Sequence, residues 1–121
     1  MKRILISTYL TISALLVFAQ SGIQATIDPI EMLIGEQAQV TLTVQTDGSD
    51  NVEWPKLQPR QMLVHGVEII GTRHPDANTM IVTLTSFDGS LYHLPAFTVK
   101  VNGKELKSSD LALKVVEVEV D

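Results

Sequence analysis

Strict alternation of apolar and polar residues is the feature that most constrains what this chain can fold into. It runs along residues 37–46 (QAQVTLTVQT), where every second residue from Ala38 to Val44 is apolar and the others are Gln or Thr. Because successive side chains of a strand point to opposite faces, this pattern predicts a strand with one face on a core and one in water. Residues 79–85 (TMIVTLT) do much the same, and no convincing helical period follows the N-terminal segment. We therefore predict an all-β chain.

Weaker strand candidates and turn residues fill the remainder of the chain. Pro29 interrupts the opening candidate and suits an edge strand, because proline cannot donate a hydrogen bond to a neighbouring strand. About seven short strands separated by turns indicate an antiparallel β-sandwich in a single domain, residues 20–121. The weaker strand candidates are residues 26–33, 52–54, 64–70, 97–101, 104–106 and 111–120, and turns are predicted at 34–36, 47–48, Pro55, Pro59, Gly71, Pro75 and 102–103.

The Asn102-Gly103 pair is the most specific of these turns. Strand-like residues 97–101 and 104–106 flank it directly. Since both turn residues tolerate a positive φ, the pair predicts a tight two-residue β-hairpin.

Two changes of phase predict irregular strands. Tyr92 and Leu94 fall on even numbers, whereas Phe97, Val99 and Val101 fall on odd numbers. One face of a regular strand cannot take both sets. We expect an inserted residue, a β-bulge, at Pro95-Ala96, because a bulged position need not donate its N–H. The last strand changes phase at residues 115–116, which predicts a second bulge or a strand end that is apolar on both faces.

The N-terminus has the layout of a secretory signal peptide, predicted as residues 1–19. A positively charged start is followed by an apolar run over residues 4–19 (ILISTYLTISALLVFA) that ends in small or tolerated residues. This run is shorter than the ~20 residues that span a bilayer. We expect cleavage after Ala19, with cleavage after Ala25 as the second choice. No Cys follows the run to carry a bacterial lipid anchor.

The exported remainder is acidic and lacks cysteine. Loss of Lys2 and Arg3 with the leader would reduce the 9 Lys and Arg to 7, against 14 Asp and Glu, a net charge of −7. Such a domain is repelled by phosphate backbones and anionic lipid, so we expect no nucleic-acid binding. The absence of Cys excludes disulfides, thiol catalysis and cysteine zinc sites.

Residues 88–94 (DGSLYHL) indicate the type of sandwich. In immunoglobulin-like sandwiches a Tyr begins the sixth strand, and its hydroxyl bonds back to the backbone a few residues upstream. Tyr92 has this strand context, and Asp88 and Gly89 precede it in a turn. We therefore predict a tyrosine corner at Tyr92.

Two further positions agree with an immunoglobulin-like sandwich. Leu94 stands two residues after the tyrosine, where antibody domains carry a Cys, and Trp54 stands where such folds bury a Trp. A hydrophobic contact of Leu94 with Val40 or Leu42 would replace the missing disulfide. We predict structural rather than chemical roles for these residues.

Residues 85–99 (TSFDGSLYHLPAFTV) resemble a signature of exported BatD-like proteins, a family tied to bacterial aerotolerance operons. In that signature an Asp and a Gly precede Tyr-x-Leu-Pro, and a short strand, a turn and an apolar last strand follow, as they do after Pro95. Residues 34–37 (IGEQ) before an alternating strand, and the signal peptide, also look like the family's opening. The resemblance covers about residues 26–120, and its motifs are structural rather than catalytic.

The resemblance implies a non-enzymatic module of the bacterial envelope that works by protein–protein contact. Its partners would be envelope or membrane proteins, among them the von Willebrand A-type proteins of the same operons. Strand addition along an exposed edge such as residues 27–33 is one expected mode. BatD-like proteins continue into further extracytoplasmic sequence and a membrane span, whereas this chain stops at Asp121. We therefore expect export to the periplasm or cell envelope, with membrane attachment only through sequence beyond this chain.

Residues that could carry chemistry are few and scattered. His65, His74 and His93 lie in separate segments, so a metal site would need acidic partners and a convergence that is not expected. Ser90 and Asp88 are near His93 in sequence, but strand alternation points them to the opposite face. No nucleophile, zinc-protease or phosphate-binding motif is present. We expect no enzymatic activity, no cofactor and no metal.

A glycan- or small-ligand-binding β-sandwich domain of the envelope is the alternative function. Such sites usually present clustered aromatic side chains, but only 5% of the residues are aromatic. Assigning Trp54 and Tyr92 to the core leaves the predicted surface poor in them, so we rank this alternative second.

Overall fold

A computed structural model describes residues 22–46 and 50–117 of the chain, and these residues form β-strands connected by turns and loops. No helix in these two ranges is long and apolar enough to cross a membrane. The strands, in chain order, are β1 (Ile23–Asp28), β2 (Glu31–Leu33), β3 (Gln37–Val44), β4 (Val52–Glu53), β5 (Met62–Val64), β6 (Val67–Asp76), β7 (Thr79–Thr85), β8 (Ser90–Leu94), β9 (Thr98–Val101), β10 (Lys104–Lys107) and β11 (Leu111–Val116).

The strands form two layers that pack face to face. One layer is a five-stranded antiparallel sheet in the order β1-β3-β7-β6-β5. The other consists of two three-stranded sheets, β2-β11-β8 and β10-β9-β4. The prediction of an all-β sandwich is therefore confirmed, with one parallel pairing, that of β2 with β11. The described residues contain eleven strands rather than about seven, because several predicted strands are divided.

The core lies between the layers and draws on both of them. Strands β3, β6 and β7 contribute from the five-stranded sheet, and β2, β8 and β11 contribute from the opposite layer. A fully buried aliphatic side chain adds about 1.5–3 kcal/mol to the stability of such a core. The buried cluster comprises Met32, Ala38, Val40, Leu42, Val67, Ile69, Met80, Val82, Leu84, Leu94, Phe97, Leu113 and Val115.

Strands β3 and β7 follow their sequence patterns closely. Every even-numbered residue of β3 from Ala38 to Val44 is buried, and β7 buries Met80, Val82 and Leu84. The two strands are antiparallel neighbours, with Val40 opposite Val82. The alternation of each strand therefore fixes which of its faces meets the core.

The predicted opening strand over residues 26–33 is wrong as a single strand. β1 pairs with β3 in the five-stranded sheet, whereas β2 pairs with β11 in the other layer. Pro29 lies between them, and just after it the Ile30 carbonyl accepts a bond from the Lys114 amide, 2.9 Å away. The chain thus crosses between layers at Pro29, and β1 and β2 each lie at the edge of their sheet, as the proline indicated.

The predicted strand over residues 64–70 contains a turn. His65 and Gly66 separate β5 from β6, and Val64 pairs directly with Val67. Gly66 has a φ of 96°, a conformation that glycine adopts without the steric cost other residues meet. A two-residue hairpin turn thus lies near the start of the predicted strand, and residues 67–70 form the beginning of β6.

Gly71 and Pro75 were predicted in turns, but both lie inside the long strand β6. The register of β6 against β7 shifts between Ile69 and Gly71 and again between Arg73 and Asp76. Such irregularities admit glycine, and proline that need not donate to a neighbour. Both residues therefore mark interruptions of the ladder rather than ends of the strand.

The predicted bulge at Pro95-Ala96 is wrong, although the change of phase is real. The pairs Leu94–Leu111 and Val101–Lys104 enclose residues 95–100 on one strand and 105–110 on the other, so neither strand has an extra residue. Pairing is interrupted at the same place on both segments, at residues 95–97 and 108–110. On each segment the buried positions change between even and odd numbers there.

Phe97 and Ser108 bridge this interruption. The Phe97 amide donates to the Ser108 hydroxyl oxygen at 2.8 Å, and the Ser108 amide donates to the Phe97 carbonyl at 2.9 Å. Both residues are buried. A serine side chain thus accepts the hydrogen bond that a backbone carbonyl accepts in a regular ladder.

The phase change predicted at residues 115–116 has no register shift in the described part of the strand. Val115 is buried, Val116 is exposed, and β11 keeps its parallel register with β2 to its last residue. Of the two readings, the structure supports a strand end that is apolar on both faces. Glu117 follows the end of β11 and is not part of a strand. The described residues do not include positions 118–120 of this predicted strand, the signal peptide (residues 1–19) or the turn at 47–48.

Candidate functional site

The hydrogen bond expected of a tyrosine corner is present. Tyr92, on β8, donates its hydroxyl proton to the carbonyl oxygen of Asp88 at 2.8 Å. The buried Ser86 hydroxyl lies 3.2 Å from the tyrosine oxygen and 3.1 Å from the same carbonyl. The backbone of Asp88, rather than its carboxylate, is therefore the partner of the tyrosine.

The ring of Tyr92 closes against the turn between β5 and β6. A Cβ on Gly66 would lie 2.6 Å from the Tyr92 hydroxyl oxygen and 2.7 Å from a ring carbon. Only a residue without a side chain leaves room for this contact. The corner thus links the turn before β8 to the β5–β6 hairpin.

The other residues predicted around the corner have structural surroundings. Leu94 is buried in the same apolar cluster as Val40 and Leu42. Gly89 lies so close to the end of β11 that an added Cβ would come 2.9 Å from a side-chain carbon of Glu117. Pro95 follows β8 directly and is exposed.

Asn102 and Gly103 form the predicted two-residue hairpin between β9 and β10. Their φ values are 53° and 82°, and Val101 pairs with Lys104 across the turn. The Asn102 side chain also accepts a bond from the Asn51 amide at 2.9 Å and donates one to the Asp50 carboxylate at 2.8 Å. The turn therefore also anchors the segment that leads into β4.

The outer side of the β2-β11-β8 sheet exposes apolar side chains. We name it the apolar face and define it by Ile30, Leu33, Leu91 and Val116, which are 69%, 44%, 58% and 37% exposed. Val116 pairs with Leu33 across the two neighbouring strands. Ile30 and Leu91 line a shallow hollow of about 390 Å³ on this side of the sheet.

The apolar face carries no net charge. Among the described residues of its three strands, the Asp, Glu, Lys and Arg side chains are Glu31 and Lys114, and their charged groups lie 3.4 Å apart. Both side chains are more than half exposed, so the ion pair adds little to stability. It does neutralise this face of a chain whose formal net charge is −5.

Sequence reasoning did not identify the apolar face. Its one signal was the run of apolar residues at 115–116, where an apolar residue on both strand faces was an open alternative. Leu91 is next to the inward-facing Tyr92, and Leu33 is next to the buried Met32. Which of two neighbouring apolar residues is exposed depends on the face of the sheet that the core covers.

A second concave surface, which we name the Trp54 cleft, lies beside β4 and β9. Trp54 is half-buried: it packs partly against the core and partly lines this cleft of about 570 Å³. The prediction that Trp54 is buried in the core is therefore correct only for part of its side chain. The residues that line the cleft are Glu53, Trp54, Pro55, Lys56, Thr98 and Lys100.

An aromatic ring and two cations meet in the Trp54 cleft. The ring centroids of Trp54 and His74 lie 5.4 Å apart with the planes tilted by 54°. Lys56 and Lys100 lie in the cleft, and Glu53 is opposite Lys100 in the β4–β9 pairing. Lysine charges beside a tryptophan suit a ligand that has both a flat or apolar face and a negative group.

The remaining candidates for chemistry do not converge. His65 lies in the β5–β6 turn, His74 on β6 and His93 on β8, all exposed, and Ser90 is exposed as well. Within residues 22–46 and 50–117, no three His, Cys, Asp or Glu side chains are grouped so that they could hold a metal ion.

The fold and these surfaces are the basis for any functional assignment. Comparison of the chain with family models and with curated proteins found no match.

Proposed function

We propose that this protein is a non-enzymatic interaction module that binds a partner protein through the apolar face. The observation that carries the proposal is the exposure of Ile30, Leu33, Leu91 and Val116 on one side of a single sheet. Several exposed apolar side chains on one face of a domain commonly mark a protein contact.

The chemistry of the apolar face specifies the kind of partner. The Glu31–Lys114 pair gives the face both signs of charge with no net charge. A partner surface that is apolar at its centre and uncharged overall would match it, because buried unpaired charges oppose binding. The rest of this acidic chain would repel acidic surfaces, and so favour contact at this face.

We propose the bacterial envelope as the location, from the signal-peptide layout of residues 1–19 and the resemblance to BatD-like proteins. The proposed partners are envelope or membrane proteins, among them von Willebrand A-type proteins of the same operon. We propose cleavage after Ala19, because cleavage after Ala25 would divide β1, which pairs with β3 along its whole length.

Site-specific crosslinking followed by titration tests this proposal. A photoreactive residue at Leu91 should capture a partner protein in cells, whereas one at Met62 should not. Met62 is a suitable control because it is an apolar residue of similar exposure, 50%, on β5 in the opposite layer. The captured protein is then purified and its dissociation constant measured.

Introducing a charge into the apolar face supplies the quantitative test. Leu91→Glu should weaken the measured affinity by about tenfold or more, since it buries a charge at the contact. Met62→Glu should leave the affinity unchanged, and both variants should retain the unfolding free energy within about 0.5 kcal/mol because both sites are exposed. Equal capture at both positions, or equal weakening by both variants, would contradict the proposal.

A second candidate function is the binding of an acidic glycan or similar small ligand in the Trp54 cleft. The observation that favours it is the half-buried Trp54, which lines the cleft together with Lys56 and Lys100. A sugar ring could stack on the indole while a carboxylate contacts the lysines.

The single Trp provides a direct assay for this candidate. Oligosaccharides containing uronic acids should change the Trp54 fluorescence in a saturable way. Lys100→Ala should weaken binding, and Lys104→Ala, on β10 outside the cleft, should not. A flat titration with neutral and acidic sugars alike would remove this candidate.

A further inference from the structure

The strands at the sheet edges differ in how they are protected against pairing with another chain. In the described residues β2, β4 and β5 are only two or three residues long, and β5 also has an irregular register. β10 has the sequence KELK, with a lysine at each end. Short length, irregular register and lysine all discourage edge-to-edge pairing.

Strand β1 has none of these protections, and it is longer than β8 (SLYHL, five residues), the other regular and uncharged edge strand, which belongs to the apolar face. It has six residues, it pairs with β3 along its whole length without a register shift, and its sequence IQATID is uncharged up to Asp28. No described strand pairs with its other side. β1 is therefore a long, regular and nearly neutral edge on an acidic chain.

The hydrogen-bonding pattern shows which backbone groups of β1 point outward. The Gln45 amide donates to the Gly22 carbonyl at 3.0 Å, in the same register as the β1–β3 pairing. Hydrogen-bonded and non-hydrogen-bonded pairs alternate along an antiparallel ladder. The even-numbered residues of β1 therefore bond to β3, and the N–H and C=O groups of Ile23, Ala25 and Ile27 point away from it.

We propose that β1 pairs antiparallel with β1 of a second copy of this chain, with the two-fold axis at Ala25. In that register Ala25 lies opposite Ala25, and Ile23 lies opposite Ile27. Each outward N–H of one copy then meets an outward C=O of the other. The two five-stranded sheets become one continuous sheet through an isologous contact.

The side chains of β1 match this register. Gln24 lies opposite Thr26, and Asp28 lies opposite Gly22, so the two acidic groups do not face each other. Ile23, Ala25 and Ile27 are half-buried on the core side, and apolar residues paired across strands stabilise a sheet. The proposal is independent of the apolar face, because β1 belongs to the opposite layer.

The oligomeric state of the full chain tests the proposal. Sedimentation equilibrium between about 1 μM and 1 mM should show a monomer–dimer equilibrium. Ala25→Pro should raise the dissociation constant of the dimer by about tenfold or more. Proline removes an outward N–H of β1 without removing a hydrogen bond to β3. Ala25→Val, which keeps the N–H and matches proline in size, should dimerise like the parent. Far-UV circular dichroism identifies any variant that has failed to fold.

Cysteine crosslinking tests the register itself, in a chain that has no other Cys. Cα atoms opposite each other in a hydrogen-bonded pair are about 5.5 Å apart, within disulfide range. Ala25→Cys should therefore form a disulfide-linked dimer on oxidation. Thr26→Cys should not, since in this register the two Thr26 residues are offset along the strands and lie beyond that range.

Three results would overturn the proposal: a monomer at about 1 mM, dimerisation unaffected by Ala25→Pro, or equally efficient crosslinking at positions 25 and 26. A dimer abolished by Leu91→Glu but not by Ala25→Pro would assign self-association to the apolar face instead. Failure of the partner-binding test at the apolar face would leave the β1 proposal standing, because the two surfaces carry separate variants.

Discussion

Replacing Tyr92 by Phe removes one hydroxyl from the corner and leaves the packing of the ring in place. In the parent chain that hydroxyl donates to the Asp88 carbonyl at 2.8 Å. The Ser86 hydroxyl lies 3.1 Å from the same carbonyl and 3.2 Å from the tyrosine oxygen. Ser86 has one proton to donate, so in the parent it can serve only one of these acceptors at a time.

The magnitude follows from what the variant leaves unpaired. A buried carbonyl that loses its only partner costs about 1–3 kcal/mol. In Tyr92→Phe, however, Ser86 can turn its proton to the Asp88 carbonyl, and Asp88 is itself exposed. The loss should therefore approach that of one ordinary hydrogen bond, about 1 kcal/mol. In Ser86→Ala/Tyr92→Phe the carbonyl loses both partners, so the double variant should cost more than the sum of the single ones.

Urea unfolding, followed by the fluorescence of the single Trp, measures the loss of unfolding free energy in each variant. With a slope of about 1–3 kcal/mol per molar urea, a loss of about 1 kcal/mol lowers the midpoint by about 0.3–1 M. Far-UV circular dichroism should give the same midpoint if unfolding is two-state. The complete set is the parent, Tyr92→Phe, Ser86→Ala and the double variant.

Two results would refute the reasoning. A change for Tyr92→Phe within about 0.3 kcal/mol would mean that water replaces the hydroxyl without loss, and that the bond does not stabilise the corner. Additive effects in the double variant would mean that Ser86 does not substitute for the tyrosine, so that the two hydroxyls act independently.

Two further predictions concern backbone positions with matched controls. Gly66→Ala should destabilise the protein by about 2 kcal/mol or more, because φ is 96° and the new Cβ would lie 2.6 Å from the corner hydroxyl. Gly71→Ala, with no atom within 4 Å of its Cβ, should stay within about 1 kcal/mol of the parent, and similar losses for both would contradict the proposed contact. Ser108→Ala should cost about 1–3 kcal/mol in urea unfolding, since it leaves the buried Phe97 amide without its acceptor. Exposed Ser109→Ala should change stability by less than about 0.5 kcal/mol, and an equally small effect of Ser108→Ala would show that another group accepts the bond.

Features fixed by neighbouring residues could be predicted from the sequence. Alternation identified the buried face of β3 and of β7, because side-chain direction along a strand depends only on the backbone of that strand. Asn102-Gly103 predicted its hairpin because both residues tolerate a positive φ. Tyr92 predicted its hydrogen bond because the acceptor lies only four residues upstream.

Features that depend on a distant strand could not be predicted in the same way. The pattern of residues 95–97 showed a change of phase but not that the partner strand changes phase with it, since Ser108 lies in the other half of the hairpin. The apolar residues around Gly66 predicted one continuous strand, and the sequence did not show that Tyr92 packs against this glycine from a different strand. An apolar residue predicts burial only when its partner layer is known, so Leu91 gave no sign that it would be exposed. Val116 gave a sign only through the open alternative of a strand end that is apolar on both faces.

The sequence by itself therefore determined the fold class, the buried faces of the two longest regular strands, the hairpin at Asn102-Gly103 and the tyrosine corner. Each of these follows from side-chain direction or from backbone conformation within a few residues. Only the tertiary structure decided that the chain crosses layers at Pro29, that Trp54 lines a cleft, and that no other strand among residues 22–46 and 50–117 covers the outer edge of β1 or the apolar face. Those features depend on which strands become neighbours, and that choice is made by the packing of the whole core.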